Sequence, residues 1–220
     1  LVRRPYLFAF ALRLCACADG KLASDTLDEA ASNAIVSVGP AFNDPAHCSG
    51  VMIARDRVAT ARHCLQEEPL FVRIGEDPAH PLAVARASIE RVDDRRDLLF
   101  LRVDIPAAVA RSVAPLTVLR GAPARGEPVL LGGFGSRLPG QPRRKHIHQG
   151  TVLQVQPDRI SVETDGGACR GDSGGPLIAN VHGHFGVYAV LWAGSLDGRK
   201  DVYTRLGCDA CTEHATRTDR

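Results

Sequence analysis

The most restrictive feature of this chain is a succession of short apolar or alternating runs separated by turn residues. They fall at 34–38, 51–54, 70–74, 82–92, 98–103, 129–134, 151–155, 159–164, 177–179, 186–191 and 201–206. Most are bounded by Gly, Pro, Asp or Asn, and Val and Leu dominate them. Runs of this length punctuated in this way read as the strands of an all-β sandwich or barrel, because a helix needs a longer stripe at a 3.6-residue period. Such stripes are scarce; only 106–111 and the C-terminal tail look mildly helical. The 21 glycines and 14 prolines, against 5% aromatics, fit a turn-rich β protein better than a helical bundle. With 220 residues, 45% of them hydrophobic, the chain can build one ordinary domain or two small ones sharing an interface. The Pro/Gly-rich stretch 115–128 is the best linker, dividing a first half, 34–114, from a second, 115–206. The stretch 136–150 carries Arg143, Arg144, Lys145, His146 and His148 and reads as a solvated surface loop in preference to an anion-binding patch.

Charge narrows the function. Lys and Arg number 27 against 25 Asp and Glu, and residues 1–18 hold three arginines and no acid. The remaining body is near neutral, which argues against nucleic acid as the partner, since phosphate contacts need concentrated positive charge. No apolar run approaches the length of a membrane-spanning helix, which excludes a polytopic membrane protein. Residues 1–18 place Arg3 and Arg4 ahead of a short apolar stretch that ends in small residues, the layout of a secretory leader cut after Ala18. Leu14-Cys15-Ala16-Cys17 also fits a lipoprotein signal, which would put a lipid anchor on Cys17. Either way the expectation is a secreted, periplasmic or outer-surface protein, with a polar segment at 19–33. Export implies an oxidising compartment in which disulfides persist. Of the seven cysteines, five lie beyond the leader: Cys48, Cys64, Cys169, Cys208 and Cys211. Cys208 and Cys211 have C-x-x-C spacing, but with no second such pair and no paired histidines a zinc site is not expected.

Three short segments carry the chemistry. Gly171-Asp172-Ser173-Gly174-Gly175-Pro176 sets a serine among glycines, which let the backbone turn tightly and bring amide N–H groups together. A serine hydroxyl is a poor nucleophile unless a base removes its proton and donors stabilise the resulting oxyanion. The candidate base is His63, in Thr60-Ala61-Arg62-His63-Cys64. A Cys48–Cys64 bridge would pin the segment that carries it. The candidate third member is Asp97, which enters the apolar run Leu98-Leu99-Phe100-Leu101. A carboxylate there needs a strong partner, and an imidazolium is one. Asp93 and Asp94 compete with it from a charged stretch that reads as a loop.

These segments, in the order His, Asp, Ser, resemble the chymotrypsin/trypsin-like serine peptidase family from about residue 34 to 206. TARHC, DLLFLRV and GDSGGP stand for its histidine, aspartate and serine motifs. Gly132-Gly133-Phe134-Gly135 resembles a turn early in its second barrel, and Val202-Tyr203-Thr204-Arg205-Leu206 its last strand. The resemblance implies two six-stranded antiparallel Greek-key barrels with the active site in the cleft between them. His63 and Asp97 would come from the first barrel and Ser173 from the second. It further implies that Ser173 is the nucleophile and His63 the general base and acid. Asp97 orients His63, and the N–H groups of Gly171 and Ser173 form the oxyanion hole. The chain is thus expected to be an exported, bacterial-type serine endopeptidase acting on protein or peptide substrates as a monomer, with no cofactor and no metal. Because a fold does not establish an activity, the competing reading is a catalytically inactive binding protein on the same fold.

The chain also departs from that family. It has no Ile/Val-Val-Gly-Gly segment whose freed amino group would pair with Asp172, so another cation is needed, with Arg137, Arg143 and Arg144 as candidates. Aligned by resemblance, the specificity pocket is lined by Gly167, Leu191 and Asp201. Asp201 would favour Lys or Arg from one wall, whereas Leu191 would narrow the pocket for small apolar residues. Aligning on Trp192 instead moves these walls by two positions. Cys169 matches a cysteine whose family partner falls here on Gly194, which leaves Cys169 free or bridged to Cys208 or Cys211. The short polar tail 207–220 stands where the family has a terminal helix.

Overall fold

A computed structural model describes residues 27–40, 48–66, 68–136, 141, 143–195 and 198–207. The leader, the Cys17 anchor, Arg137, Cys208, Cys211 and the rest of the C-terminal tail from 208 to 220 lie outside the described residues. The first half contributes β1 (Ile35–Gly39), β2 (Cys48–Ala54), β3 (Arg57–Ala61), β4 (Leu70–Ile74), β5 (Ala83–Asp93) and β6 (Leu98–Val103). They pair antiparallel into a closed barrel in the order β1-β2-β3-β6-β5-β4. A two-residue strand, β7 (Thr117–Val118), follows. The second half supplies β8 (Pro128–Gly133), β9 (His146–Val155), β10 (Arg159–Thr164), β11 (Pro176–Val181), β12 (His184–Gly194) and β13 (Lys200–Arg205). Their order is β11-β8-β9-β10-β13-β12, and pairing of β11 with β12 closes the ring. Each barrel therefore follows the same path, three strands in sequence and then three in reverse. The expected all-β, two-barrel architecture is the observed one.

Three local features depart from expectation. Within the polar 19–33 segment, Glu29–Ser32 forms a short helix, α1, capped by Asp28, whose Oδ1 accepts from Ala31 N at 2.7 Å. The presumed linker contains β7, which runs parallel to β12 outside the second barrel. The stretch read as a solvated loop ends not at Gly150 but at His146, where β9 begins. Its Lys145 side chain is 1% exposed and bonds across to Ser32 O and Glu76 Oε1, each at 2.9 Å. The mild helical signal at 106–111 corresponds to a second short helix, α2 (Ala107–Ala110).

Strand alternation serves two cores at once. Leu130, Ile178 and Val190 join the first barrel's interior and the inter-barrel seam. Their neighbours Leu131, Leu177 and Leu191 fill the second barrel. Strands buried on both faces read as continuous apolar runs, which is why these segments stood out in the sequence.

Candidate active site

β3 runs straight into a single turn of 3₁₀ helix, Arg62–Cys64, and this turn presents His63 at the seam. The Cys48–Cys64 disulfide, with its Cα atoms 6.0 Å apart, ties that turn back to the start of β2. Asp97 sits just before β6 with φ 61°, a left-handed conformation that Asp tolerates better than most residues. From there its Oδ2 lies 2.6 Å from His63 Nδ1, and its Oδ1 accepts the His63 backbone N–H at 2.9 Å. One carboxylate therefore fixes both the position and the orientation of the imidazole. The competitors are occupied elsewhere: Asp93 pairs with Arg96 and Asp94 with Arg62, each at 2.7 Å. The Arg96 carbonyl, next to Asp97, accepts from Thr204 Oγ1 at 3.0 Å and Arg159 Nη1 at 3.3 Å, which holds the aspartate's turn against the second barrel.

Ser173 belongs to the turn between β10 and β11. Its carbonyl accepts from Ser49 N at 2.8 Å and lies 3.7 Å from Cys64 Sγ, so the serine's backbone rests against the His63 segment. Ser49, in β2, does more: its Oγ donates to the Gly171 carbonyl at 2.8 Å and accepts from Phe134 N at 2.9 Å. Sequence reasoning missed Ser49, whose only signal was its place next to Cys48. Gly174 has φ +80°, and a Cβ there would collide with Ser49 O and Ala61 N, so glycine is required where the two barrels touch. Among the described residues neither the Gly171 N–H nor the Ser173 N–H has an acceptor.

Asp172, 4% exposed, has no arginine partner among the described residues; it has His146. His146 Nε2 lies 3.1 Å from Asp172 Oδ1, while Gly135 N and Cys169 N donate to the carboxylate at 2.7 and 2.8 Å. Arg144 instead pairs with Asp77 at 3.5 Å. Burial would raise the Asp172 pKa, but the His146 charge and these hydrogen bonds hold it below the ordinary carboxylate value. Burial likewise opposes protonation of His146, yet the charge and hydrogen bond of Asp172 outweigh it and raise its pKa. His148 stacks on His146 with ring centroids 5.7 Å apart, and neither of its ring nitrogens has a partner among the described residues. Burial, with the adjoining His146 charge, pushes its pKa down to about 4.

The pocket residues divide. Gly167 is buried with φ +66° against Gly198, and Asp201 is 1% exposed with Oδ1 accepting from Ala168 N at 3.0 Å. Burial pushes the Asp201 carboxyl up to about 6, the Ala168 N–H working against it and the Asp172 charge adding to it. Leu191 does not line an open pocket: its side chain belongs to the second barrel's core. The strand position that faces Asp201 is Gly194, where a Cβ would stand 3.0 Å from Asp201 Oδ1 and 3.3 Å from Ala168 Cβ. Cys169 is not a free thiol, because it is disulfide-bonded. The cluster of Cys48, His63 and Cys64 has metal-ligand chemistry in name only, since both sulfurs are spent in the disulfide.

Two six-stranded barrels meeting at a histidine–aspartate pair and a glycine-flanked serine define a serine-peptidase type of scaffold. The chain belongs to the trypsin family, whose profile, described as Trypsin, matches residues 28–207. It is 28% identical over 202 residues to Kallikrein 1-related peptidase b11 of Mus musculus, covering 72% of this chain and 76% of that protein. It is 26% identical over 163 residues to Snake venom serine protease HS114 of Bothrops jararaca, covering 60% of this chain and 63% of that protein. Among the described residues no helix is long and apolar enough to cross a membrane.

Proposed function

We propose that this chain is an exported serine endopeptidase that cleaves peptide bonds through His63, Asp97 and Ser173. The carrying observation is the 2.6 Å contact between His63 Nδ1 and Asp97 Oδ2, beside a serine turn bonded to the same barrel through Ser49. With Nδ1–H held by Asp97, His63 keeps Nε2 free to take the Ser173 hydroxyl proton as Oγ attacks the substrate carbonyl carbon. The carbonyl electrons move onto oxygen, which the N–H groups of Gly171 and Ser173 stabilise. His63 then hands its proton to the departing amine, leaving an acyl-enzyme. A water molecule repeats the cycle, giving its proton to His63 and releasing the acid and free Ser173.

For substrate choice, the reading places Gly167, Gly194 and Asp201 around the side chain that precedes the cut bond. A buried carboxylate on that wall favours Lys or Arg there. The Cys48–Cys64 bridge supports an oxidising destination.

A fluorophosphonate probe tests the central claim. Labelling of Ser173 that disappears in His63→Ala supports the peptidase, and absence of labelling in folded protein would leave a binding protein. A peptide library then reports whether Lys and Arg are preferred.

A further inference from the structure

The buried carboxylate next to the nucleophile is the most constrained charge in the second barrel. Asp172 takes two backbone N–H bonds and the His146 imidazole, and the backbones of Gly133 and Gly135 close its remaining sides. A Cβ on either glycine would overlap the carboxyl group. Among the described residues the side chain that pairs with Asp172 as its counter-charge is His146. The charge facing Asp172 comes from the first residue of β9, held in place because Ile147 is buried and Lys145 is anchored to Ser32 and Glu76.

We propose that His146 is the positioning residue that holds the 171–173 turn in its substrate-ready shape, and that protonation of His146, rather than capture of a newly cut amino terminus, arms the site. This inference rests on the peptidase reading given above. When His146 is charged, its attraction to Asp172 fixes the peptide planes on either side of that residue, and with them the N–H of Gly171 and that of Ser173. When His146 loses its proton, a neutral hydrogen bond is left in place of an ion pair and the turn loosens.

Several groups face His146. His148 stacks on it from the same strand, and Asp201 and Tyr203 of β13 border the same cavity of about 10 Å³. The Arg143 guanidinium stands beside Gly171. Burial opposes the charged form of His146, the charge and hydrogen bond of Asp172 and a backbone hydrogen bond at Arg144 favour it, and a neutral His148 does not oppose it. The raised pKa of His146 sets the sign: the ion pair is complete below the ordinary histidine value and is lost as pH rises through the raised one. Activity should therefore fall on the alkaline side for a reason separate from His63.

The test compares wild type, His146→Gln and His146→Lys, each with an acetylated or fusion-blocked amino terminus, by fluorophosphonate labelling and by kcat and KM against pH. A misplacement of about 1 Å in such a site costs on the order of 100-fold in rate. The expected result is labelling of the blocked wild type and a loss of that order in kcat/KM for His146→Gln. His146→Lys should recover most of the activity and lose the alkaline decline. NMR titration of the His146 ring follows the same protonation without relying on catalysis, and thermal melts separate misfolding from misalignment. An unchanged pH profile in His146→Lys, or labelling that requires a free new amino terminus, would overturn the inference while leaving the peptidase reading intact. Failure to label folded wild type would bring down both.

Discussion

The two barrels share one strand order, and each contributes a histidine–aspartate pair, yet the pairs are built for different ends. In the first, His63 and Asp97 are 2.6 Å apart with side chains 41% and 16% exposed. In the second, His146 and Asp172 are 3.1 Å apart with side chains 25% and 6% exposed. The open pair leaves the His63 ring partly exposed to solvent, the setting that the proposed proton transfer needs. In the closed pair Gly133 and Gly135 pack against the Asp172 carboxyl group, which suits it to holding its neighbours. The same two functional groups thus suit the two proposed roles, proton carrier and fastener, according to how much of the ring the fold covers.

Asparagine at each acid separates the two roles most sharply. Asp97→Asn should lower kcat by about 10⁴ with little change in melting temperature, because Asn fits the left-handed backbone but no longer holds His63 in the right tautomer. Asp172→Asn should cost about 3–5 kcal/mol of stability in urea melts, because it strips a buried histidine of its counter-charge. Equal effects of the two changes on melting would erase the distinction.

Removing the Cys48–Cys64 bridge by double alanine substitution should cost about 3 kcal/mol, given a closed loop spanning 16 residues. The loss should show in melting before it shows in the His63–Asp97 contact.

His148 supplies a pH test. Its pKa is about 4 in the folded chain against 6.5 when free, so the unfolded chain binds more protons between those values and stability falls as pH drops through that window. Asp201 has the opposite sign: at about 6 against 3.8, it favours the folded state as pH falls through its own window. Relative to wild type, His148→Leu should gain roughly 2–3 kcal/mol between pH 7 and pH 4.5, as read by urea melts at the two values. The smallest expected change is Ser49→Ala, which removes a hydroxyl bonded to both Gly171 and Phe134 and should cost about 1–3 kcal/mol, with a slower labelling of Ser173.

Strand positions were legible because so many are buried on both sides and read as apolar runs. The serine, histidine and aspartate segments were legible because glycine spacing, the Cys48–Cys64 pairing and an acid entering an apolar strand are local signals. What escaped was non-local. His146 and His148 sit among Arg143, Arg144 and Lys145, a composition that reads as surface, although His148 is buried, His146 is half-buried and the Lys145 side chain just before β9 is covered. The need for a cation at Asp172 was visible, but the sequence points to arginines, since a histidine gains that role only when a buried carboxylate holds its proton. Leu191 was misplaced for a related reason: β12 carries irregular register between Leu191 and Ala193, so counting back from β13 could not tell core from pocket. Ser49 works through bonds to residues more than 80 positions away.

The close approach at Gly174 bears on how the molecule can move. With no room for a methyl group between that turn and the edge of the opposite barrel, the seam acts as a rivet and not a hinge. The Ser173 turn is thereby held against β2 and β3, the strands that lead to His63. On the proposed peptidase reading, a polypeptide substrate would lie across that fastened seam, which favours exposed, extended stretches of chain over tightly folded ones.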